Sequence, residues 1–453
     1  MSHTIAAIST GNCISAIGII RLTGDGCAEI AGKVFTLNSN KSLCDAPDRK
    51  LVLGQLCDKE GRIIDSCCAI YCRGPHSYTG EDTVEFQCHG SPAVLAAGLE
   101  ALYIAGAKPA QRGEFTKRAF LNGKLDLTQA EAVIDLIEAD SAEAAANAAG
   151  QVGGRLQKKL DPVYDVLTDL CSHFHAVLDY PDEDIEDFGF QNYYDTLRKI
   201  TKDLYHLLQT YGQGKILRSG VAAAIVGKPN VGKSSLLNAL AGYDRVIVTD
   251  IPGTTRDTVE ETVKVGGVKL RLIDTAGIRE TTDTVEAIGV ERSRKAVEDA
   301  DMVIFVCDGS KPLTEEDEAI IDLCCERENA VALINKTDLG QVIEPGDLPF
   351  MNVVEICAET GEGLEQFADV VETLFEGDLP CDGSILTNAR QADAIRRAYE
   401  SMLSALQAMK LGLTPDAALI DVEAAMEAMG EVTGHTVRED ITARIFERFC
   451  VGK

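Results

Sequence analysis

A glycine-rich loop between an apolar run and a helix-forming segment constrains the fold of this chain most. Residues 227–234 read Gly-Lys-Pro-Asn-Val-Gly-Lys-Ser, a match to the G-x-x-x-x-G-K-S pattern. The loop follows the strand-like run 221–226 and precedes the helical segment 236–240. In such loops backbone N–H groups surround phosphates, the lysine reaches the β- and γ-phosphates, and the serine binds Mg²⁺. We therefore predict a nucleoside triphosphate site that includes Asn230, Val231, Gly232, Lys233, Ser234 and Ser235.

The pattern around this loop predicts three kinds of structure. Strand-like runs at 221–226, 268–273, 302–307, 330–334 and 353–356 alternate with helical segments, which is typical of a doubly wound, mostly parallel α/β sheet. The first 120 or so residues hold short β-like runs, such as 16–22 and 83–88, and indicate an α+β domain. Helical spacing predominates at 128–178 and again after Leu379, through Phe449.

The two helical regions predict one all-α domain with the α/β domain inserted into it. In residues 128–178 the break signals are Gly150, Gly153-Gly154 and Pro162. The predicted domains are 1–121 (α+β), 122–215 (helical, first part), 216–377 (α/β) and 378–453 (helical, second part).

Composition limits the function classes. The chain has 453 residues and a formal net charge of −29, of which residues 216–377 contribute −16 and residues 1–121 contribute nothing. No segment forms a basic arm, so any contact with RNA requires a local patch or a partner. No run of about 18 apolar residues and no export signal is present, so we expect a cytoplasmic protein without membrane contact. Fifteen cysteines without a Cys-x-x-Cys pair indicate neither a disulfide framework nor a zinc site.

A second motif identifies the base. Residues 335–338, Asn-Lys-Thr-Asp, follow the strand-like run 330–334. A carboxylate accepts two hydrogen bonds from the N1–H and 2-amino group of guanine, and adenine offers no such pair. Asp338 is thus the predicted guanine reader, with Asn335, Lys336 and Thr337 in its loop. The backbone of Cys357 and Ala358, after the strand-like run 353–356, is placed to meet the guanine oxygen.

Two further loops resemble the switches of GTP-hydrolysing proteins. We predict that Asp274 holds Mg²⁺ through water, that the Gly277 N–H touches the γ-phosphate, and that Thr255 joins Ser234 as a Mg²⁺ ligand. Ile278 stands where many GTPases have a glutamine that orients the attacking water. Candidates to replace it are the acidic residues that follow: Glu280, Asp283, Glu286 and Glu291.

The chain resembles the MnmE (TrmE) family of tRNA-modification GTPases over nearly its whole length. The GTPase motifs alone would not separate this family from other bacterial GTPases, whereas the N-terminal block and the Cys-x-Gly-Lys end do. The loop 10–16 departs from the usual family pattern. The segments that carry the resemblance are 80–82, 113–127, 179–185, 227–234, 248–257, 274–280 and Cys450-Val451-Gly452-Lys453.

The resemblance implies a Ras-like P-loop G domain inserted into a helical domain, after an N-terminal domain that binds a tetrahydrofolate and forms the homodimer. By match to the family, Arg21, Glu85, Lys124 and Lys453 contact 5-formyltetrahydrofolate or methylenetetrahydrofolate. The implied partners are MnmG, an FAD protein, and tRNA. With them the family adds an aminomethyl or carboxymethylaminomethyl group to carbon 5 of the wobble uridine.

The resemblance also selects among the catalytic candidates. Glu286 matches the family's water-orienting glutamate. Asn230 matches a K⁺ ligand, joined by oxygens of Thr249, Ile251 and Thr254, and this ion takes the place of an arginine finger; Arg256 is the alternative. Cys450 is either a helix residue without a chemical role or a thiol near the folate and the uridine. The predicted nucleotide- and ion-binding set also includes Asp250, Pro252, Gly253, Thr275 and Ala276.

A second function class stays open. A regulatory GTPase that acts in ribosome or complex assembly, without covalent chemistry, would share all the G-domain motifs. Binding of 5-formyltetrahydrofolate separates the two classes, because a pure switch has no use for it.

Overall fold

The computed structural model describes residues 2–11, 13–38, 42–179, 190–243, 261–273, 294, 296–375, 381–434, 445–447 and 449–453. The chain divides into two compact units. The first unit comprises Met1–Leu208, Cys381–Ser384 and Arg390–Lys453, and the second comprises Gln209–Pro380 and Ile385–Ala389. The domain boundaries expected from the sequence stay predictions.

The first unit contains a mixed seven-stranded sheet in the order β3-β4-β5-β6-β2-β1-β7. β1 and β7 are parallel, and the other neighbours are antiparallel. The strand-like runs 16–22 and 83–88 lie within β2 and β6, whose register places Arg21 opposite Glu85. The strands are β1 (Ile5–Ile8), β2 (Ser15–Thr23), β3 (Phe35–Leu37), β4 (Leu51–Cys57), β5 (Ile63–Cys72), β6 (Thr83–Gly90) and β7 (Lys108–Pro109).

Helices α1 and α2 pack on this sheet, and Leu95 and Leu102 of α2 share a core with Ile20, Leu56 and Phe86 of the strands. The helical part of the unit follows from α4 onward. The helices are α1 (Cys27–Val34), α2 (Pro92–Ala105), α3 (Glu114–Leu121), α4 (Leu127–Glu138), α5 (Ala142–Val152), α6 (Arg155–Asp179) and α7 (Phe190–Gln209).

Two of the expected helix breaks are wrong. Gly150 lies inside α5 and Pro162 inside α6, whereas Gly153-Gly154 does separate the two helices. α6 tolerates the proline, which removes one backbone hydrogen bond, because leucines along the helix bury a continuous apolar stripe. These leucines are Leu156, Leu160, Leu167 and Leu170.

Helices from distant parts of the sequence join in the first unit. Glu131 on α4 is 5 % exposed and accepts hydrogen bonds from both Arg390 (2.9 and 2.8 Å) and Gln391 (2.9 Å). The bidentate arginine compensates the buried carboxylate, so the pair fixes α4 against a helix about 260 positions away. That helix and the next will be called α12 (Ala389–Lys410) and α13 (Pro415–Thr433).

The second unit is a doubly wound α/β domain, as the sequence predicts. Its six strands are ordered β13-β12-β11-β8-β10-β9, and all neighbours are parallel except the edge strand β9. The strands are β8 (Val221–Val226), β9 (Glu261–Val265), β10 (Val268–Ile273), β11 (Met302–Asp308), β12 (Ala330–Asn335) and β13 (Asn352–Glu355). The helices are α8 (Tyr211–Ser219), α9 (Lys233–Tyr243), α10 (Glu315–Cys324) and α11 (Leu364–Phe375).

Both faces of this sheet are covered, which explains the uninterrupted apolar strands. Successive residues of β8 enter different cores: Ala223 and Ile225 pack with Leu237 of α9, whereas Ala224 and Val226 pack with Ile320 of α10. Because parallel strands end at one edge, the loops that follow β8, β11, β12 and β13 meet there.

All fifteen cysteines are free thiols. Cys67 and Cys88 face each other in the first-unit core, and their sulfur atoms and a carboxylate oxygen of Asp65 lie within 4.8 Å of one another. The contact with Cys88, and to a lesser extent burial, raise the pKa of the Cys67 thiol. Among the described residues, no helix combines the length and the low polarity that a bilayer crossing requires.

Candidate functional site

The loop after β8 has a backbone shape that its glycines permit. Gly227 and Gly232 adopt φ values of +147° and +105°. A Cβ atom at Gly227 would lie 2.2 Å from the Val306 carbonyl oxygen, and one at Gly232 would lie 2.1 Å from Asn335 Nδ2. Asn230 also has a positive φ of 65°. A loop of this kind turns its backbone toward an anion at the start of the following helix.

Lys233 lies across the mouth of this loop. Its Nζ donates hydrogen bonds to the carbonyl oxygens of Gly227 (2.6 Å) and Lys228 (2.7 Å). Burial lowers the pKa of its ammonium to about 8. The cation is thus only partly compensated by neutral carbonyls, and an anion in the loop would restore its charge balance. Ser234 and Ser235 are exposed in the first turn of α9. The residues present therefore fit a triphosphate with its Mg²⁺.

Asn335 ties three segments together at the end of β12. Its Nδ2 donates to the Val231 carbonyl (2.8 Å), and its Oδ1 accepts from the Ala358 N–H (3.0 Å). It is 2 % exposed, so all of its bonds are made inside the protein. The structure thus links the phosphate loop to the two loops that the sequence assigns to the base.

Lys336 adds a second link. Its Nζ donates to the Asn230 carbonyl (2.7 Å) and to Asp308 Oδ2 (2.8 Å). Burial alone would raise the pKa of Asp308, but hydrogen bonds from Lys336 and Ser310 outweigh it and lower that pKa well below its ordinary value. Lys336 therefore joins the phosphate loop to the end of β11.

The predicted guanine reader, Asp338, is exposed at the same edge. Its Oδ1 accepts a hydrogen bond from the Cys357 thiol (3.3 Å), and Thr337 Oγ1 donates to the Ile356 carbonyl (3.3 Å). The N–H of Cys357 donates to the Glu362 carbonyl (2.9 Å), and that of Ala358 donates to Asn335. A guanine oxygen that accepts from these two N–H groups would have to share them with the Glu362 carbonyl and Asn335 Oδ1, or replace these acceptors.

The switch residues fall outside the described residues. The structure brings together the phosphate loop and the base loops, and it adds nothing on the remaining nucleotide, Mg²⁺, K⁺ and catalytic assignments. These are Thr249, Asp250, Ile251, Pro252, Gly253, Thr254, Thr255, Asp274, Thr275, Ala276, Gly277 and Glu286, with the alternative Arg256 and the acidic candidates Glu280, Asp283 and Glu291.

A second candidate site lies on the first-unit sheet. Arg21 of β2 donates from Nε to Glu85 Oε1 of β6 at 2.6 Å, and its side chain is 15 % exposed. The guanidinium carbon lies 5.4 Å from the ring centre of Tyr78 and 5.7 Å from that of Phe115. The charged pair therefore lies beside the exposed ring of Tyr78 and the buried ring of Phe115, and the exposed ring and the cation suit a flat, anionic heterocycle.

The segment 450–453 returns to this site from the other end of the chain. Gly113 N–H donates to the Cys450 carbonyl (3.4 Å), Phe115 N–H to the Lys453 carbonyl (3.2 Å), and Ser9 Oγ to the Gly452 carbonyl (2.9 Å). Burial and the Arg21 charge lower the pKa of the Lys453 ammonium, and Glu85 opposes them. Three of the four predicted folate contacts, Arg21, Glu85 and Lys453, are thus within electrostatic reach of one another.

Lys124 and Cys450 lie at the margin of this arrangement. Lys124 is exposed, and its stem packs beside Gly80, in the loop that also carries Tyr78. The Cys450 thiol is exposed, as a reactive thiol needs to be, and no described contact joins it to Lys453.

The sequence reasoning missed several residues that shape the two sites. Asp308 could have been found, because an aspartate at the carboxyl end of a parallel strand is a frequent loop anchor. Lys228 pairs with Asp317 (2.6 Å), and Arg118 pairs with Glu81 and Glu114 (2.8 Å each). The Arg118 pairs join segments 80–82 and 113–127 through one buried ionic contact.

Comparisons with known proteins match both ends of the chain to family models and the whole chain to curated relatives. The family model "MnmE helical domain" matches residues 127–450, and "GTP-binding protein TrmE N-terminus" matches residues 4–124. The tRNA modification GTPase MnmE of Clostridioides difficile (strain 630) is 42% identical over 459 residues, 100% of both chains. That of Alkaliphilus metalliredigens (strain QYMF) is 42% identical over 465 residues, again 100% of both. Among solved structures, the G domain of the T. maritima FeoB iron transporter is 27% identical, covers 34% of this chain and 98% of its own, and has a TM-score of 0.26.

Proposed function

The chain belongs to the MnmE (TrmE) family, and from this premise we propose that it is the GTP-hydrolysing subunit of a complex that modifies tRNA. Full-length relatives named tRNA modification GTPase MnmE support a GTPase of tRNA modification that uses GTP with Mg²⁺. We propose further that the complex installs an aminomethyl or carboxymethylaminomethyl group on carbon 5 of the wobble uridine. Its partners in this proposal are MnmG and a second copy of the chain, joined through the N-terminal domain.

The contact of Asn335 with both the phosphate loop and the Ala358 loop carries the nucleotide part of this proposal. In this role the glycines admit the triphosphate, and Lys233 neutralises charge on its β- and γ-phosphates. Asp338 reads the guanine edge. Because Asn335 joins the phosphate loop and the Ala358 loop before substrate arrives, little backbone reorganisation accompanies nucleotide binding.

Hydrolysis itself we assign to Glu286 and K⁺. Glu286 orients the attacking water, a task that Ile278 cannot perform, and Asn230 with Thr249, Ile251 and Thr254 would hold a K⁺ ion, which would supply positive charge near the leaving oxygen. Turnover measured at fixed ionic strength tests both roles. We expect a rate that rises steeply with K⁺ and less or not at all with Na⁺, and a loss of roughly 10²–10³-fold in kcat for Glu286→Gln. Equal rates in both salts would return Arg256 to consideration.

The second site suggests the one-carbon donor. A tetrahydrofolate carries a flat ring and carboxylates, which suit the exposed ring of Tyr78 and the cations Arg21, Lys124 and Lys453. The exposed thiol of Cys450 would act near that donor. A regulatory GTPase without covalent chemistry is the alternative, and it predicts no folate binding.

Nucleoside analysis of tRNA from a deletion strain tests the proposed function. Loss of the wobble modification, restored by the wild-type gene and not by an Asp338→Asn variant, is the expected result. A complete wobble modification in the deletion strain would exclude this role. Retention of 5-formyltetrahydrofolate by the purified protein, measured by calorimetry, separates the enzyme from the regulatory switch.

A further inference from the structure

An open groove of about 680 Å³ lies between α7 and α12 of the first unit. Its walls come from one face of each helix, since the lining residues of α12 recur at spacings of four, three and four positions. The wall of α7 presents Tyr194, Arg198, Lys202 and Tyr205, and the wall of α12 presents Tyr399 and Lys410. Nothing in the nucleotide or folate arrangements uses this face.

The groove is cationic on a strongly anionic chain. Arg198, Lys199, Lys202 and Lys410 line it and are exposed, and Asp195 is the one acidic residue in the lining. Within the part of the chain that the structure describes, no ion pair joins these four cations to a carboxylate. The chain as a whole has a formal net charge of −29. The sign of the charge in the groove is therefore opposite to that of the whole chain.

Two arginines of α12 that do not line the groove are paired with carboxylates. Arg396 is paired with Asp393 (2.6 Å) and Glu400 (2.8 Å), and Arg397 is paired with Asp393 (3.1 Å) and with Glu431. Their charges are neutralised locally, so they offer little attraction to a distant anion. Among the residues that the structure describes, the groove cations thus differ from these arginines in having no carboxylate partner.

Aromatic rings lie between the cations. The Lys410 ammonium lies 5.9 Å from the ring centre of Tyr194, and the rings of Tyr205 and Tyr399 lie 5.6 Å apart. Tyr205 is 44 % exposed. Exposed rings among cations are the usual platform for unpaired bases, while the cations take the phosphates.

We propose that this groove binds tRNA, with the backbone phosphates on Arg198, Lys199 and Lys202 and an unpaired base against Tyr205. The inference rests on the proposed function and adds to it the surface through which this subunit holds its substrate. RNA is favoured over an acidic protein because the groove offers rings and cations but few aliphatic side chains for a protein partner to bury.

Binding of an unmodified tRNA transcript to the full-length protein, followed by fluorescence anisotropy over a range of salt concentrations, tests the proposal. For Lys199→Ala/Lys202→Ala we expect the slope of log K against log salt to fall by about two, one unit for each lost phosphate contact. The matched control is Arg396→Ala/Arg397→Ala, which removes the same charge from the same unit and should keep the wild-type slope. Thermal unfolding confirms that both variants are folded.

Variants of Tyr205 test the proposed base contact independently of the phosphate contacts. Tyr205→Ala should weaken binding by roughly 5- to 150-fold, the range for loss of one stacked base, and Tyr205→Phe should bind like the wild type. Wild-type slope and affinity in the lysine variant, or equal losses in the arginine control, would overturn the proposal. Intact tRNA binding with lost modification would assign the groove to a protein partner and also overturn it. The deletion-strain assay reports on the proposed function separately, because it does not depend on where tRNA binds.

Discussion

Asp338 is the residue on which nucleotide choice depends. Its carboxylate is exposed at the edge of the second-unit sheet, and the Cys357 thiol donates to one of its oxygens. The other oxygen is free of that bond and can accept from a base. The loop around it is held by buried Asn335, so a change at position 338 alters the chemistry of the reader and leaves its support in place.

For Asp338→Asn we expect GTP affinity to fall roughly 10- to 150-fold, which corresponds to about 1.5–3 kcal/mol for a hydrogen bond to a charged group. Preference should move toward xanthosine triphosphate, because the amide N–H can donate to its added carbonyl. Competition binding against a labelled GTP analogue measures both effects. Asp369→Asn, an exposed change on α11, is the control. Guanine selectivity kept by the Asp338 variant would remove this loop from base recognition.

Lys233 predicts a pH dependence of binding. Burial lowers the pKa of its ammonium to about 8, below the ordinary 10.5. Between these values the unfolded chain holds the proton more than the folded protein does, so this group's contribution to stability rises with pH. The triphosphate requires the protonated form, so GTP affinity should fall by up to tenfold per pH unit above about 8.

Titration of a non-hydrolysable GTP analogue between pH 7 and 9 measures this fall. Lys233→Arg is the control, because its guanidinium stays protonated throughout and it reports any effect of pH on the nucleotide itself. A wild-type affinity that changes with pH no more than that of the arginine variant would contradict the assignment of Lys233 to the phosphates.

At the scale of residues, the two sequence motifs predicted part of the nucleotide site. The G-x-x-x-x-G-K-S loop and the Asn-Lys-Thr-Asp loop are found close together, because short motifs carry their own geometry. The Lys336–Asp308 pair was not predicted. It depends on the register of β11 and β12, which places Asp308 opposite Asn335, and register comes from tertiary packing rather than from local residues.

At the scale of elements, strand positions were predictable and helix breaks only in part, since Gly153-Gly154 does separate α5 from α6. The run 221–226 matches β8 at both ends, since six consecutive apolar residues between turn signals have few alternatives to a buried strand. Gly150 and Pro162 were expected to end helices, yet both lie within them. Propensity is a weak preference, and tertiary packing of an apolar face overrides it.

Gly150 shows what the packing demands. A Cβ atom there would lie 1.8 Å from the Asp382 carbonyl oxygen, so α5 approaches residues 381–384 too closely for any side chain. Gly150→Ala should therefore destabilise the first unit by about 1–3 kcal/mol, despite the better helix propensity of alanine. Gly32→Ala is the matched control: it lies in α1 with nothing within 4 Å of its Cβ position, and a gain of up to about 1 kcal/mol is expected. Urea unfolding followed by circular dichroism measures both, and equal stabilities for the two variants would refute the packing argument.

At the scale of the whole chain, its two ends share one site. Ser9 Oγ donates to the Gly452 carbonyl, 443 positions away, and Arg112 and Val451 form a single antiparallel bridge. The sequence alone, without the family resemblance, gave no reason to place Lys453 beside Arg21. Contacts at this separation leave no periodicity for pattern analysis to detect.

Gly452 controls how the segment 450–453 docks, and it yields a prediction for the folate site. Its φ is +102°, and a Cβ atom would lie 2.1 Å from the Ile8 carbonyl oxygen, so Gly452→Ala forces the segment away from β1. Lys453 would then leave Arg21 and Glu85, and affinity for 5-formyltetrahydrofolate, measured by calorimetry, should fall at least about tenfold, as expected for one lost charge-assisted contact. GTP hydrolysis should persist, because the phosphate and base loops belong to the second unit. Val451→Ala, at a residue 54 % exposed, removes side-chain volume from the same segment without changing its backbone and should bind folate like the wild type. Undiminished folate binding by Gly452→Ala would separate the segment from that site and leave Arg21, Glu85 and Lys124 as its remaining candidates.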